Sequence, residues 1–273
     1  MAPFGPLVDA AWLRSHLGEP DLAVVDCRYT LGDPPAGERG WLAGHIPGAA
    51  FLSVSADLSG KPRDGARDGG RAPLPRARDF EASARRAGIG ERSLVAAYDQ
   101  AGEGGATRLW WLLRHFGHES VAVLDGALSA WTDAGGELKG GREQTAPGDF
   151  TARERQGDTV ALADVERGGL LLLDAREPER FRGESEPMDP VAGHIPGARN
   201  APSQELAPGG RFLGQAELKE RLGDEPFVAS CGSGITATTL LLAAEVAGVE
   251  GRLYPGSWSE WSRRGLPAET GEG

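Results

Sequence analysis

The sequence predicts an α/β protein made of two copies of one domain, each a mostly parallel sheet with helices on both faces. Three observations predict it. First, Gly44-His-Ile-Pro-Gly-Ala49 recurs as Gly193-His-Ile-Pro-Gly-Ala198. Second, each copy follows an apolar run closing on Asp-x-Arg, Val24-Val-Asp26-Cys-Arg28 and Leu172-Leu-Asp174-Ala-Arg176, and two later segments recur in the same order. Those are Val95–Asp99 against Phe227–Cys231, and Leu124-Asp-Gly126 with Trp131 against Tyr254-Pro-Gly256 with Trp261. Third, continuous apolar runs of strand length alternate with amphipathic stretches, which is the pattern of strands covered on both faces. A sequence repeated in order with different insertions is a duplicated domain.

In the first copy, the runs Leu22–Asp26, Leu94–Tyr98 and Val121–Leu124 predict strands, and Asp79–Ala87 and Thr107–Phe116 predict helices. Between them, Asp57–Pro75 is rich in Gly, Pro, Arg and Asp and reads as a surface loop without a long counterpart in the second copy. In the second copy, Leu170–Asp174, Phe227–Ser230 and Arg252–Tyr254 predict strands, with helices over Gln215–Leu222 and Thr236–Ala247. The expected boundaries are a first domain over residues 1–140, a Gly-rich linker over 141–149 and a second domain over 150–273. In both His-Ile-Pro-Gly motifs proline restricts φ and glycine permits positive φ, so His45 and His194 read as parts of a duplicated turn.

Composition narrows the function. The 273 residues carry a formal net charge of −11, which repels nucleic-acid phosphates and anionic lipid surfaces, so neither is an expected partner. The two cysteines, Cys27 and Cys231, cannot form a disulfide framework and suit a reducing compartment. The first residues have no basic segment followed by an apolar one, and the uncharged stretch Pro226–Ala244 is too polar and Gly-rich at its centre to span a membrane. The expectation is a cytoplasmic protein.

Where the copies differ, the chemistry is expected. The position of Asp99 in the first copy holds Cys231 in the second, directly after a strand and before a helix. In open α/β sheets ligands bind at the carboxyl ends of strands. Cys231-Gly-Ser-Gly-Ile-Thr236 lets the backbone curl so that amides and the helix N-terminus face an anion, here the cysteine's own sulfur. A free thiol is only about 3% thiolate at pH 7. A pKa lowered by about two makes it roughly three-quarters thiolate, worth about 2.7 kcal/mol. Cys27 lies where the other copy has Ala175 and reads as a core residue.

Other chemistries fail on spacing. No lysine stands near the loop for a phosphate-binding motif, and Gly232-Ser233-Gly234 lacks the spacers of a serine nucleophile elbow. A cysteine phosphatase would need an arginine where Ala237 stands. His115 and His118 have no Cys, Asp or Glu completing a metal cluster and read as surface or capping residues. No metal, nucleotide or flavin site is expected, and no cofactor.

The duplicated Asp-x-Arg and Gly-His-Ile-Pro-Gly-Ala, with Cys231-Gly-Ser-Gly-Ile-Thr-Ala237 in the second copy alone, resemble the rhodanese superfamily. More narrowly the chain resembles two-domain thiosulfate and 3-mercaptopyruvate sulfurtransferases, over nearly its whole length. The resemblance implies two tandem rhodanese-like domains, the first silent with Asp99 at the cysteine position and the second catalytic through a Cys231 persulfide. It implies substrate binding by Arg180 and the loop residues Gly232, Ser233, Gly234, Ile235 and Thr236. The loop is similar to the mercaptopyruvate type, with Ile235 for valine; thiosulfate enzymes place basic residues after the cysteine. Mercaptopyruvate enzymes often carry a second arginine in Glu-Pro-Arg, where this chain has Glu186-Pro-Met188. The implied partners are a small sulfur donor and a thiol or thioredoxin-like acceptor. A thiosulfate enzyme and a non-turnover sulfur carrier or sensor are the alternatives.

Overall fold

The computed structural model describes residues 5–61, 69–101 and 103–273. The chain forms two compact units. The first comprises Met1–Ser59, Pro75–Arg155 and Gly209–Arg211; the second comprises Gly60–Leu74, Gln156–Pro208 and Phe212–Gly273. The loop expected at Asp57–Pro75 lies partly outside the described residues, and its described residues between Gly60 and Leu74 group with the second unit.

In the first unit β1 (Leu7–Val8), α1 (Ala10–His16), β2 (Leu22–Asp26), α2 (Ala36–Ala43) and β3 (Ala50–Phe51) are followed by α3 (Ala77–Arg86), β4 (Leu94–Tyr98), α4 (Gly105–His115), β5 (Val121–Leu124) and α5 (Ala127–Asp133). The strands form one sheet in the order β1-β5-β4-β2-β3, and every pairing is parallel. Parallel neighbours need crossover connections, and helices supply them. Leu13, Val24, Ile46, Ala96, Tyr98, Leu124 and Trp131 form a core cluster in this unit.

The second unit continues with α6 (Leu162–Arg167), β6 (Leu172–Asp174), α7 (Pro178–Phe181), β7 (Arg199–Asn200) and α8 (Ser203–Leu206). It closes with α9 (Gln215–Leu222), β8 (Phe227–Ser230), α10 (Ala237–Ala247), β9 (Gly251–Leu253) and α11 (Ser257–Arg263). Its sheet, β7-β6-β8-β9, is again wholly parallel, and the counterpart of β1 is reduced to a bridge from Thr159 to Leu253. Val160, Leu172, Phe181, Ile195, Val228, Tyr254, Trp258 and Trp261 form a core cluster here. The α/β class with parallel sheets flanked by helices is therefore as the sequence predicts.

The shared motif builds the same device twice. Ala49 N–H donates to Ile46 O at 2.9 Å and Ala198 N–H to Ile195 O at 3.0 Å. Gly48 and Gly197 have φ of +81° and +75°. Proline then glycine at the two central positions is the signature of a type II turn. Each preceding arginine locks the turn to a strand end. Arg28 bonds Asp26 and donates to Gly44 O, while Arg176 bonds Asp174 and donates to Gly193 O. The histidines are scaffold: His45 is fully buried with Nδ1 at 2.7 Å from Trp41 O, and His194 stacks on Phe181 with Nδ1 at 2.8 Å from that residue's carbonyl. His115 and His118 correct the surface reading, since both are buried. His115 stacks on Trp111 and His118 Nε2 lies 2.9 Å from Ser93 O.

Candidate active site

Cys231 stands between the end of β8 and the start of α10, at the carboxyl edge of the second sheet. The Gly234 N–H donates to its Sγ at 3.1 Å, and the residue is 1% exposed. Gly234 has φ of +80°, and a Cβ there would lie 2.5 Å from the Pro255 carbonyl oxygen. Only glycine lets this amide turn towards the sulfur. Gly234→Ala is therefore expected to displace the donor and lower kcat/KM by about a hundredfold or more. Unchanged sulfur-transfer kinetics in that variant would contradict this role of the loop.

A second element fixes the loop from below. Cys231 N–H donates to Ser257 Oγ at 3.1 Å, and Ser257 in turn donates to Tyr254 O at 3.0 Å. The amides of Trp258 and Ser259 donate to the carbonyls of Cys231 and Gly232, both at 2.9 Å. Ser257 sits at φ +50°, an uncommon conformation for a residue other than glycine. Its counterpart Ala127 has φ +55°, so the backbone bend is duplicated and only the hydroxyl is new. Ser257 is not among the site residues expected from the sequence. Extending the comparison of copies by one residue past Gly126 and Gly256 would have found it.

The expected arginine, Arg180 of α7, reaches the loop. A Cβ on Gly232 would lie 3.4 Å from Arg180 Nη2 and 3.6 Å from Nη1. Glu186 holds that guanidinium at 2.8 and 3.0 Å and also accepts the backbone N–H of Met188 and of Asp189. Arg176 pairs with the same Glu186 at 3.3 Å and lies over the Trp258 ring. Burial works against the charge of Arg176, but Asp174, Glu186 and Cys231 together hold its pKa above the ordinary value. Arg182 turns to Glu184 instead and stays at the surface. Ser233 is buried two residues from the cysteine, and Thr236, the N-cap of α10, makes no side-chain capping bond. Ile235 is buried, and Thr236 forms the helix boundary.

The first unit shows what the same place becomes without the thiol. Asp99 is buried, and its Oδ2 accepts the Ala106 N–H at 2.9 Å at the start of α4. Burial pushes its pKa up to about 7, helped by Glu103 and Asp26 and opposed by the Ala106 and Gly105 amides. Cys27 is fully buried, and burial followed by Asp26 and Asp99 raises its thiol well above the ordinary range. It remains a neutral core residue.

Two parallel sheets carrying the same turn, with a cysteine cradled at the edge of one of them, define a tandem α/β protein. The chain belongs to the rhodanese-like family, whose domain model matches residues 9–134 and again 159–264. It is 43% identical to a Pseudomonas aeruginosa protein provisionally described as a 3-mercaptopyruvate sulfurtransferase, over 93% of this chain and 94% of that one. It is 41% identical to a Mycobacterium tuberculosis protein provisionally described as a thiosulfate sulfurtransferase, over 94% and 93%. Among solved structures, the 3-mercaptopyruvate enzyme from Escherichia coli superposes with a TM-score of 0.81 at 32% identity, covering 94% of this chain and all of that one. Among the described residues no helix is long and apolar enough to cross a membrane.

Proposed function

We propose that the chain is a sulfurtransferase that takes sulfur from 3-mercaptopyruvate onto Cys231 and passes it to a thiol or to cyanide. The observation that carries this reading is the cradle itself: an amide aimed at Cys231 Sγ, with the Arg180 guanidinium over the adjoining Gly232. No basic residue lies between Cys231 and Thr236, so the loop offers neutral donors and leaves anion binding to arginine. That division suits a donor with one carboxylate set apart from its sulfur.

In the first step the Cys231 thiolate attacks the donor sulfur, forming an S–S bond as the sulfur–C3 bond breaks. The electron pair passes into the pyruvate enolate, which takes a proton and leaves as pyruvate. Arg180 holds the carboxylate, and the loop amides surround the persulfide. In the second step the acceptor attacks the outer sulfur and Cys231 leaves again as thiolate; cyanide yields thiocyanate. The acceptor in the cell is proposed to be a small thiol or a thioredoxin-like protein, and two free cysteines suit the cytoplasm.

The test is thiocyanate formation with 3-mercaptopyruvate and thiosulfate compared at equal enzyme concentration. A higher kcat/KM for mercaptopyruvate is expected. A thiosulfate preference would overturn the donor assignment and favour the activity named for the Mycobacterium relative. Arg180→Ala is expected to raise the donor KM by about 10- to 100-fold while changing kcat less, because it removes a charge-assisted grip on the ground state. An unchanged KM would exclude that role.

A further inference from the structure

Arg180 is the one grip on a carboxylate expected from the sequence, yet a second guanidinium stands at the loop. A Cβ on Gly232 would lie 3.1 Å from Arg71 Nη2, closer than either Arg180 nitrogen. Arg71 comes from the stretch Gly60–Leu74, which belongs to the second unit although it precedes the second copy in sequence. We propose that Arg71 is a second donor-binding residue, gripping the carboxylate with Arg180 across the face of Gly232, and that Asp189 positions it.

Three sets of contacts hold Arg71 there. Its backbone N–H donates to Ser259 Oγ at 2.9 Å, and the Gly69 N–H donates to Glu260 Oε1 at 2.7 Å. Between them Gly70, at φ +68°, approaches α11 so closely that a Cβ would collide with both Gly256 O and Ser259 Oγ. The guanidinium pairs through Nη1 with Asp189, whose carboxylate is 0% exposed. A carboxylate so buried is stable only with its cation in place, which holds Arg71 at this position. Nη2 is the nitrogen turned to Gly232, so the ion pair and the loop use different ends of one fork.

The charges around the cysteine make the arrangement functional. Arg71, Arg176 and Arg180 are matched by Asp174, Glu186 and Asp189, each carboxylate anchoring an arginine. Arg176 is 1% exposed and wholly committed to its partners, whereas Arg71 and Arg180 are 17% and 15% exposed. The two partly open guanidiniums are the two that flank Gly232. An anionic donor entering towards Cys231 meets both. The counter-ion, Asp189, stands three residues after Glu186, so one short turn carries the acids that hold both Arg71 and Arg180.

The inference rests on the mercaptopyruvate reading, and the experiment separates the two. Donor KM, cyanide KM and kcat are measured for the wild type, for Arg71→Lys, and for Arg71→Gln combined with Asp189→Asn, which removes the charge without stranding a buried carboxylate. Inhibition by pyruvate is measured alongside. The double variant is expected to raise the mercaptopyruvate KM and the pyruvate inhibition constant together by about 10- to 100-fold, with cyanide KM unchanged. Arg71→Lys is expected to fall between, because a point charge replaces the fork. If the wild type uses mercaptopyruvate and both variants keep its KM and pyruvate inhibition, losing only thermal stability, Arg71 is a strut and the proposal is overturned alone. If the wild type turns over thiosulfate but not mercaptopyruvate, the donor reading falls and takes this proposal with it.

Discussion

Cys231→Ser is expected to abolish sulfur transfer, with turnover falling by about 10⁴-fold or more. A hydroxyl cannot carry the transferred sulfur, and no second thiol can replace it. Cys27 is fully buried, and burial and neighbouring carboxylates keep it protonated. The substitution changes one atom at a site that is 1% exposed, and the backbone bonds to Ser257, Trp258 and Ser259 do not involve the side chain. The variant should therefore fold and melt close to the wild type. Steady-state thiocyanate formation checks the loss, and circular dichroism checks the fold. Turnover retained in a folded variant would place the chemistry elsewhere.

Asp99→Asn is expected to stabilise the protein above neutral pH. The folded-state pKa of Asp99 is about 7, raised from 3.8 chiefly by burial. Between those values the folded chain binds a proton that the unfolded chain has released, so stability is highest at low pH and is lost as pH rises through about 7. The gap between the folded and unfolded values corresponds to about 4 kcal/mol lost at pH 8, and to roughly 2 kcal/mol at pH 5. Asparagine keeps an acceptor for the Ala106 N–H and carries no charge. Urea midpoints at the two pH values measure the difference. A variant less stable than wild type at pH 8 would mean that the Asp99 charge is needed by the fold.

The interior strands were legible because they are continuous apolar runs. Leu22–Asp26, Leu94–Tyr98, Val121–Leu124 and Phe227–Ser230 have the predicted bounds. The edges were not. The strands Leu7–Val8, Ala50–Phe51 and Arg199–Asn200 are each two residues long and are defined by pairing to a neighbour rather than by any pattern of their own. The helices Pro178–Phe181 and Ser203–Leu206 span about one turn each and escape a periodicity argument in the same way.

The site divides along a similar line. Cys231 and its loop were legible from the asymmetry between copies, since one carries an acid where the other carries a thiol. Ser257 follows from the same comparison, as it replaces Ala127 at a shared positive-φ bend. Arg71 could not be found that way. It lies in an insertion that the second copy lacks, so no partner position exists to contrast with it. Only the fold of Gly69 and Gly70 against α11 brings it to Gly232.

The proposed mechanism requires sulfur to rest covalently on Cys231 between the two half-reactions. The most direct measurement is the intact mass of the protein after brief exposure to 3-mercaptopyruvate without an acceptor. The expected result is a gain of one sulfur atom, mapped to the peptide containing Cys231, absent from Cys231→Ser and removed by cyanide with release of thiocyanate. Thiocyanate produced at full rate with no added sulfur on Cys231 would contradict this mechanism.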